Sequence, residues 1–224
     1  MTKVYLSGSE SINSEIKEFL NEKAEFTDAI GSAGIIINTT NFPEYEKTEE
    51  LQYIESQSPK DIPIFTSSLC FSVSAQCALQ ENPERLIGIG LYDTFSKAKR
   101  IEIAPSKITD GTILKNAENF LTEAGINYSV VPDRVGMIFP RIVSMIINEA
   151  AQVYSEQVAS KEDIDTAMKL GTNYPYGPLE WADKLGVDLI YNILSALQRD
   201  FGEDRYRPHP LLKEMVDLKK RFYE

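Results

Sequence analysis

The sequence predicts an α/β domain with a mainly parallel sheet at residues 1–132, followed by an all-helical domain at residues 133–224. Two observations support this division. Before Pro132, short apolar runs alternate with longer polar stretches of helical periodicity, which is typical of βαβ units. After Pro132 the short runs stop, and apolar residues recur three and four positions apart, as on the buried face of an amphipathic helix.

The first domain is predicted to alternate strands and helices. The apolar run at 34–39 is bounded by turn residues, and the run at 62–66 follows Pro59. The strands are predicted at 3–7, 34–39, 62–66, 86–92, 100–104 and 128–131, and the helices at 11–22, 44–56, 68–79 and 110–123.

The second domain is predicted to hold five helices. Apolar residues from Ile142 to Val153 form one face of the first helix. Ser160 is suited to cap the second, which Gly171 would end. The third begins at Pro178 and closes at residue 186, because proline favours a first helical turn and glycine a C-terminus. Asp188 is expected to cap a fourth helix that runs to about residue 200, and a fifth covers 211–220.

Composition excludes several classes of partner. The formal net charge of −11 disfavours nucleic acid and anionic lipid. No apolar run has the length of a membrane span, and the first residues do not resemble a secretion signal, so we expect a cytoplasmic protein that does not bind membranes. The two cysteines, Cys70 and Cys77, are too few for a zinc site and are expected to be packing residues.

Three segments of the second domain carry a family resemblance. Residues 158–171 read Val-Ala-Ser-Lys-Glu-Asp-Ile-Asp-Thr-Ala-Met-Lys-Leu-Gly, residues 174–183 read Tyr-Pro-Tyr-Gly-Pro-Leu-Glu-Trp-Ala-Asp, and residues 204–212 follow. They resemble the helical C-terminal domain of the L-3-hydroxyacyl-CoA dehydrogenases. The resemblance implies that residues 1–132 form a Rossmann-like domain, shorter than usual, with NAD as the family's cofactor. It also implies a homodimer formed through the helical domain.

The phosphate-binding fingerprint is incomplete. The family's G-x-G-x-x-G loop, which lets backbone approach a pyrophosphate, corresponds to residues 8–13. Only Gly8 remains, and Glu10 stands at the second glycine position. Asp28 follows twenty residues after Gly8, where the resemblance implies a ribose-binding acid, although a solvated turn residue is the simpler interpretation. Glu10 argues against NAD in its ordinary pose.

The family's catalytic positions are also altered. Gly90 stands at the position of the catalytic histidine, while Glu102, twelve residues later, matches the carboxylate that orients it. Ser67 matches the active-site serine, and the alternative is that Ser67 or Ser68 only caps a helix. Pro140 replaces the active-site asparagine. His209, which is the one histidine in the chain, is expected to be a loop residue.

These replacements favour a catalytically impaired family member, kept for dimeric assembly or for binding an acyl-CoA-type ligand, with no cofactor and no metal. One alternative is an active NAD-dependent 3-hydroxyacyl-CoA (3-hydroxybutyryl-CoA) oxidoreductase with a rearranged site. Another is a different enzyme that uses Glu102, Ser67 and Asp93. For the dimer interface we expect the aliphatic faces at 142–153 and 189–197, and the alternative is that these faces are buried within their own domain.

Overall fold

The computed structural model describes residues 1–98 and 100–223. The chain divides into two compact units, Met1–Met137 and Ile138–Glu224. The sequence prediction placed this division at residues 132–133. Each unit has its own secondary structure.

The first unit contains a seven-stranded sheet in the order β2-β1-β3-β4-β5-β6-β7. All neighbouring strands are parallel except β5 and β6, which are antiparallel. The strands are β1 (Lys3–Ser7), β2 (Glu25–Phe26), β3 (Ile35–Asn38), β4 (Ile64–Ser67), β5 (Leu86–Ile89), β6 (Ile101–Pro105) and β7 (Tyr128–Val130). The helices are α1 (Glu10–Phe19), α2 (Glu44–Gln57), α3 (Val73–Cys77) and α4 (Gly111–Glu123).

Helices cover both faces of this sheet, so its central strands are buried on both sides. In β3, Ile35 and Ile37 join the core beneath α1 and α4, while Ile36 joins the core beneath α2 and α3. Because side chains alternate along a strand, a run of three isoleucines fits a strand that is covered on both faces. The mainly parallel α/β architecture predicted from the sequence is therefore confirmed.

Two details of the first unit differ from the prediction. No pattern in the sequence indicates β2, which is only two residues long. The predicted helix at 68–79 is wrong in extent, since α3 begins after Ser72, whose side chain accepts a hydrogen bond from Ala75 N. The reason is that the Gln76 side chain donates to the carbonyl oxygens of Ser67 and Phe71, at 3.0 and 2.9 Å. These side-chain bonds satisfy the carbonyl oxygens of Ser67 and Phe71, so the 67–71 segment does not need helical hydrogen bonds there.

The second unit is helical, and its core is formed around α8. The residues Leu189, Ile193 and Leu197 of α8 are all buried. The helices are α5 (Phe139–Ser155), α6 (Lys161–Thr172), α7 (Pro178–Leu185), α8 (Val187–Phe201) and α9 (Pro210–Asp217). Within the described parts of the chain, none of the helices has the length and apolarity needed to cross a membrane.

The predicted helix starts hold with one correction. Ser160 caps α6 and accepts a hydrogen bond from Asp163 N at 3.1 Å. Asp188, however, does not cap α8, because the helix already begins at Val187 and Gly186 is the capping residue. Gly186 has a φ of +92°, which only glycine adopts easily, so the chain turns into α8 before Asp188.

The C-terminal residues pack against α6 and α7. The backbone nitrogens of Phe222 and Tyr223 donate to the Asp183 carboxylate at 2.9 and 2.6 Å. The Tyr223 hydroxyl donates to Asp165, which is itself buried and accepts bonds from Leu179 N and Glu180 N at the start of α7. These bonds fix the last residues to the helical unit.

Candidate functional site

The candidate site lies at the carboxyl ends of β1, β3, β4 and β5 in the first unit. The strand order turns at β1, with β2 on one side and β3 on the other. In open parallel sheets, ligands bind outside the strand ends at such a turning point. The polar side chains at these strand ends are therefore the groups that could meet a ligand.

Gly8 follows β1 and is covered by Thr39 and Thr40, which follow β3. Its φ is +94°. A β-carbon at Gly8 would lie 2.5 Å from the Thr40 backbone nitrogen and 2.8 Å from the Thr39 hydroxyl. Thr39 also donates to the Ser7 carbonyl oxygen through its backbone nitrogen, at 3.0 Å, and through its hydroxyl, at 2.8 Å. Gly8 is thus required by close packing of protein against protein.

The two acids near Gly8 occupy different positions. Glu10 is exposed in the first turn of α1, where the partial positive charge of the helix N-terminus favours a carboxylate. Asp28 is exposed and lies two residues beyond β2, at the carboxyl edge of the sheet. Burial is the main cause that raises the pKa of the Tyr5 hydroxyl, and the nearby negative charge of Asp28 raises this pKa further. Gly8, Glu10 and Asp28 therefore share one edge of the sheet.

Ser67 ends β4 and is buried. Its hydroxyl donates to the Asn41 side-chain oxygen at 2.5 Å. The proposed alternative, that Ser67 or Ser68 caps a helix, is wrong because Ser72 is the capping residue of α3. Asn41 was not singled out in the sequence, and nothing in its surroundings there distinguishes it from an ordinary loop asparagine.

Gly90 and Glu102 are neighbours, and a third residue lies against them. Gly90 N donates to the Glu102 carbonyl oxygen at 2.9 Å. A β-carbon at Gly90 would lie 3.7 Å from the Glu102 β-carbon but only 2.8 Å from the Met137 sulfur. Met137 is buried. Its thioether thus fills the space into which a side chain at residue 90 would extend, a role that the sequence did not indicate.

The loop after β5 is tied to α1. Asp93 accepts a hydrogen bond from the Ser11 hydroxyl at 2.5 Å, and Thr94 N donates to Glu15 at 2.8 Å. Burial raises the pKa of the Tyr92 hydroxyl well above its usual range, and the charges of Glu102 and Glu15 raise it further. A neutral Tyr92 at neutral pH is therefore a hydrogen-bonding group and not a base.

Lys47 on α2 is a buried titratable residue next to these strand ends. Only 2% of it is exposed, and its amine donates to Asn38 Oδ1 at 3.1 Å and to the Thr40 carbonyl oxygen at 2.7 Å. Desolvation lowers the pKa of Lys47 to about 7. No motif in the sequence marks Lys47, although its spacing of four and seven positions from Leu51 and Ile54 places it on their buried helix face.

The predicted positions Pro140 and His209, and the neighbouring Arg141, lie in the second unit. Pro140 is buried in the first turn of α5. Arg141 stacks on the Phe201 and Tyr206 rings, with its guanidinium carbon 4.6 and 5.1 Å from their centroids, so it is a packing cation. The side chain of His209 caps α9 by accepting a hydrogen bond from Leu211 N at 3.2 Å. Among the described residues, no group of three or more His, Cys, Asp or Glu side chains could hold a metal ion.

Comparisons of the sequence identify relatives of this chain. Residues 136–221 match the family model described as 3-hydroxyacyl-CoA dehydrogenase, C-terminal domain. The 3-hydroxybutyryl-CoA dehydrogenase of Clostridioides difficile is 28% identical over 222 residues, which cover 96% of this chain and 77% of that protein. The 3-hydroxyadipyl-CoA dehydrogenase of Escherichia coli K12 is 41% identical over 124 residues, which cover 55% of this chain but 26% of that protein.

Solved structures share the fold. M. tuberculosis FadB2 superimposes with a TM-score of 0.88 at 18% identity, covering 100% of this chain and 98% of that chain. The (S)-3-hydroxybutyryl-CoA dehydrogenase PaaH1 of Ralstonia eutropha gives 0.79 at 21% identity, covering 98% and 94%. The helical domain thus matches the C-terminal domain of the 3-hydroxyacyl-CoA dehydrogenase family, and the chain as a whole is similar in sequence and fold to members of that family.

Proposed function

We propose that this chain is a catalytically impaired member of its family, retained as a dimeric assembly or ligand-binding protein. The observation that carries the proposal is the contact at Gly90, where the Met137 sulfur lies 2.8 Å from the β-carbon position. A general acid–base group typically contributes 10²–10⁴-fold in rate. At residue 90 that group is missing, and a packed thioether fills the adjoining space.

The residues at the dinucleotide position do not fit an NAD pyrophosphate in its usual pose. Gly8 keeps the tight turn of the fingerprint, but Glu10 stands at the second glycine position, where the backbone would approach the pyrophosphate. A carboxylate such as Glu10 at ~4 Å from a phosphate costs roughly 4 kcal/mol at surface-like dielectric, or about a thousandfold in affinity. This repulsion supports the absence of the family's cofactor chemistry.

The surviving polar groups are engaged with protein partners. The Ser67 hydroxyl is buried and bonded to Asn41, and Asp93 is bonded to Ser11. These bonds favour the impaired protein over a different enzyme built from Glu102, Ser67 and Asp93. They also weigh against an active oxidoreductase with a rearranged site, since that alternative needs polar groups that face a ligand.

Titration of the chain with NADH by fluorescence or calorimetry tests the proposal. We expect no saturable binding in the micromolar range and no oxidation of 3-hydroxybutyryl-CoA. Gly90→His alone should restore neither property, because Met137 and Glu10 remain. The double variant Gly90→His, Met137→Ala should also fail, because it removes the steric clash with Met137 but not the Glu10 carboxylate. Micromolar NADH binding accompanied by turnover in the natural chain would contradict the proposal. Thermal-shift screening with acyl-CoAs tests ligand binding separately.

The proposed assembly is a homodimer formed through α5. The other face expected at the interface, 189–197, loses its support, because the aliphatic residues of α8 are buried within the second unit. On α5, by contrast, Ile142 is 55% exposed, and Ile146 and Val153, on the same side of the helix, are half-buried. A second copy of the chain would cover this stripe, as the family resemblance implies.

Sedimentation velocity tests the dimer. Ile142→Glu should convert a dimer to a monomer, because it places a charge in the apolar contact. Leu170→Glu is the matched control, since Leu170 on α6 is 82% exposed and outside the stripe. A natural chain that sediments as a monomer at micromolar concentration contradicts the proposal, as does equal dissociation by both variants.

A further inference from the structure

Lys47 is bonded as a neutral amine would be. A neutral lysine amine has two N–H donors, and the two acceptors Asn38 Oδ1 and the Thr40 carbonyl oxygen use both of them. A protonated amine carries a third donor, for which the described residues offer no further hydrogen-bond partner. The amine is also buried, and burial disfavours the charged form of lysine.

The groups around Lys47 provide little counter-charge. On α2 itself, the Glu50 carboxylate accepts a hydrogen bond from the Thr40 hydroxyl and acts on Lys47 only through space. From the segment after β4, the buried Cys70 is the other titratable group that acts on it. The residues of β3 and the following connection that touch the amine are uncharged. The two influences that favour the charged amine are outweighed by desolvation, which is the largest effect on its pKa.

Lys47 is bonded to the segment that covers the turning point of the strand order at β1. Residues 39–41, here called the cover segment, pack on Gly8 through Thr40 and bond to Ser67 through Asn41. Thr39 N closes the segment onto β1 by donating to the Ser7 carbonyl oxygen. The Lys47 amine therefore connects the cover segment to α2 through a hydrogen bond to the Thr40 carbonyl oxygen.

We propose that protonation of Lys47 controls the closure of the cover segment: the neutral amine holds it closed over Gly8, and proton uptake loosens it. Opening would let water reach the amine, which relieves the cost of the buried charge. The inference does not depend on whether the chain has lost its family's activity, because it concerns only the closure of the strand ends in the first unit.

Native-state hydrogen exchange at the Thr39 amide measures this closure. The Lys47 pKa of about 7 in the closed form and the ordinary value of 10.5 in the open form set the pH dependence. By proton linkage, the opening constant should rise, and the Thr39 protection factor should fall, by about tenfold between pH 8 and pH 6. Protection factors are compared rather than rates, so the base catalysis of exchange itself cancels.

The matched variants are Lys47→Met and Lys17→Met. Lys17 is an exposed lysine on α1, so its replacement makes the same chemical change without touching the cover segment. The tenfold dependence should persist in Lys17→Met and vanish in Lys47→Met. It should also persist at low urea concentrations, because a local opening exposes little surface.

Several outcomes overturn the proposal. They are a Thr39 protection factor that does not change with pH, a dependence that survives in Lys47→Met, and exchange that follows urea as global unfolding does. If Lys47→Met does not fold, carbon-13 NMR titration of the Lys47 ε-methylene in the natural chain decides the matter. A midpoint near pH 7 supports the proposal, and one near 10.5 overturns it.

Discussion

Replacing Asp133 by alanine should loosen the segment that places Met137 against Gly90. The Asp133 carboxylate accepts hydrogen bonds from Val73 N at 2.7 Å, Ser74 N at 2.8 Å and the Ser74 hydroxyl at 2.7 Å. Hydrogen bonds to charged groups contribute about 1.5–3 kcal/mol each when well protected, and loss of a helix N-terminal acceptor costs about 0.5–2 kcal/mol. Because Asp133 is only half-buried and water replaces part of the loss, we expect about 2–3 kcal/mol in total.

The assay separates the two units. The single tryptophan, Trp181, lies in the second unit, so its fluorescence follows that unit, whereas hydrogen exchange at Val73 and Ser74 follows the first. In Asp133→Ala we expect faster exchange at both amides and faster peroxide oxidation of the now less protected Met137. Asp93→Ala is the control, since it removes one side-chain bond on an exposed surface. Equal effects of the two variants, or unchanged Met137 oxidation, would refute this reasoning.

Two further predictions concern stability. Gly8→Ala should destabilise the first unit by at least about 1–3 kcal/mol in urea unfolding, because its β-carbon would meet Thr40 N at 2.5 Å and its φ is unfavourable. Gly111→Ala, with nothing within 4 Å and a helical position, should instead be neutral or slightly stabilising, so equal losses would contradict the packing argument. Burial, followed by the hydrogen bond to Asp165, raises the pKa of Tyr223 above its unfolded value, so stability is full below about pH 10 and falls as the pH rises further. Thermal melts of Tyr223→Phe should lose part of this alkaline decline, and an unchanged decline would argue against the assignment.

Much of the fold follows from local sequence patterns. The run at Ile35–Asn38 is apolar throughout because both of its faces are covered, and Ser160 caps α6 through a bond that its immediate neighbours complete. The start of α3 could not be predicted in the same way. It depends on Asp133, sixty residues away in sequence, and on the Gln76 side chain folding back onto Ser67.

The sequence predicted which positions form the candidate site, but it did not predict which other residues contact them. The family's motifs point to Gly8, Ser67, Gly90 and Glu102. All four lie at the strand ends of one sheet. The residues that occupy the adjoining space carry no motif. Thr40, Asn41 and Met137 are ordinary residue types, and only the tertiary packing brings each against a named position.

The edges of the sheet have a consequence for how molecules of this protein meet one another. The outermost strands, β2 and β7, are two and three residues long. An edge strand offers its unpaired backbone groups to any other extended chain, and short edges offer few of them. Copies of the chain therefore gain little from joining their sheets edge to edge. Short outer strands therefore limit aggregation through cross-β pairing.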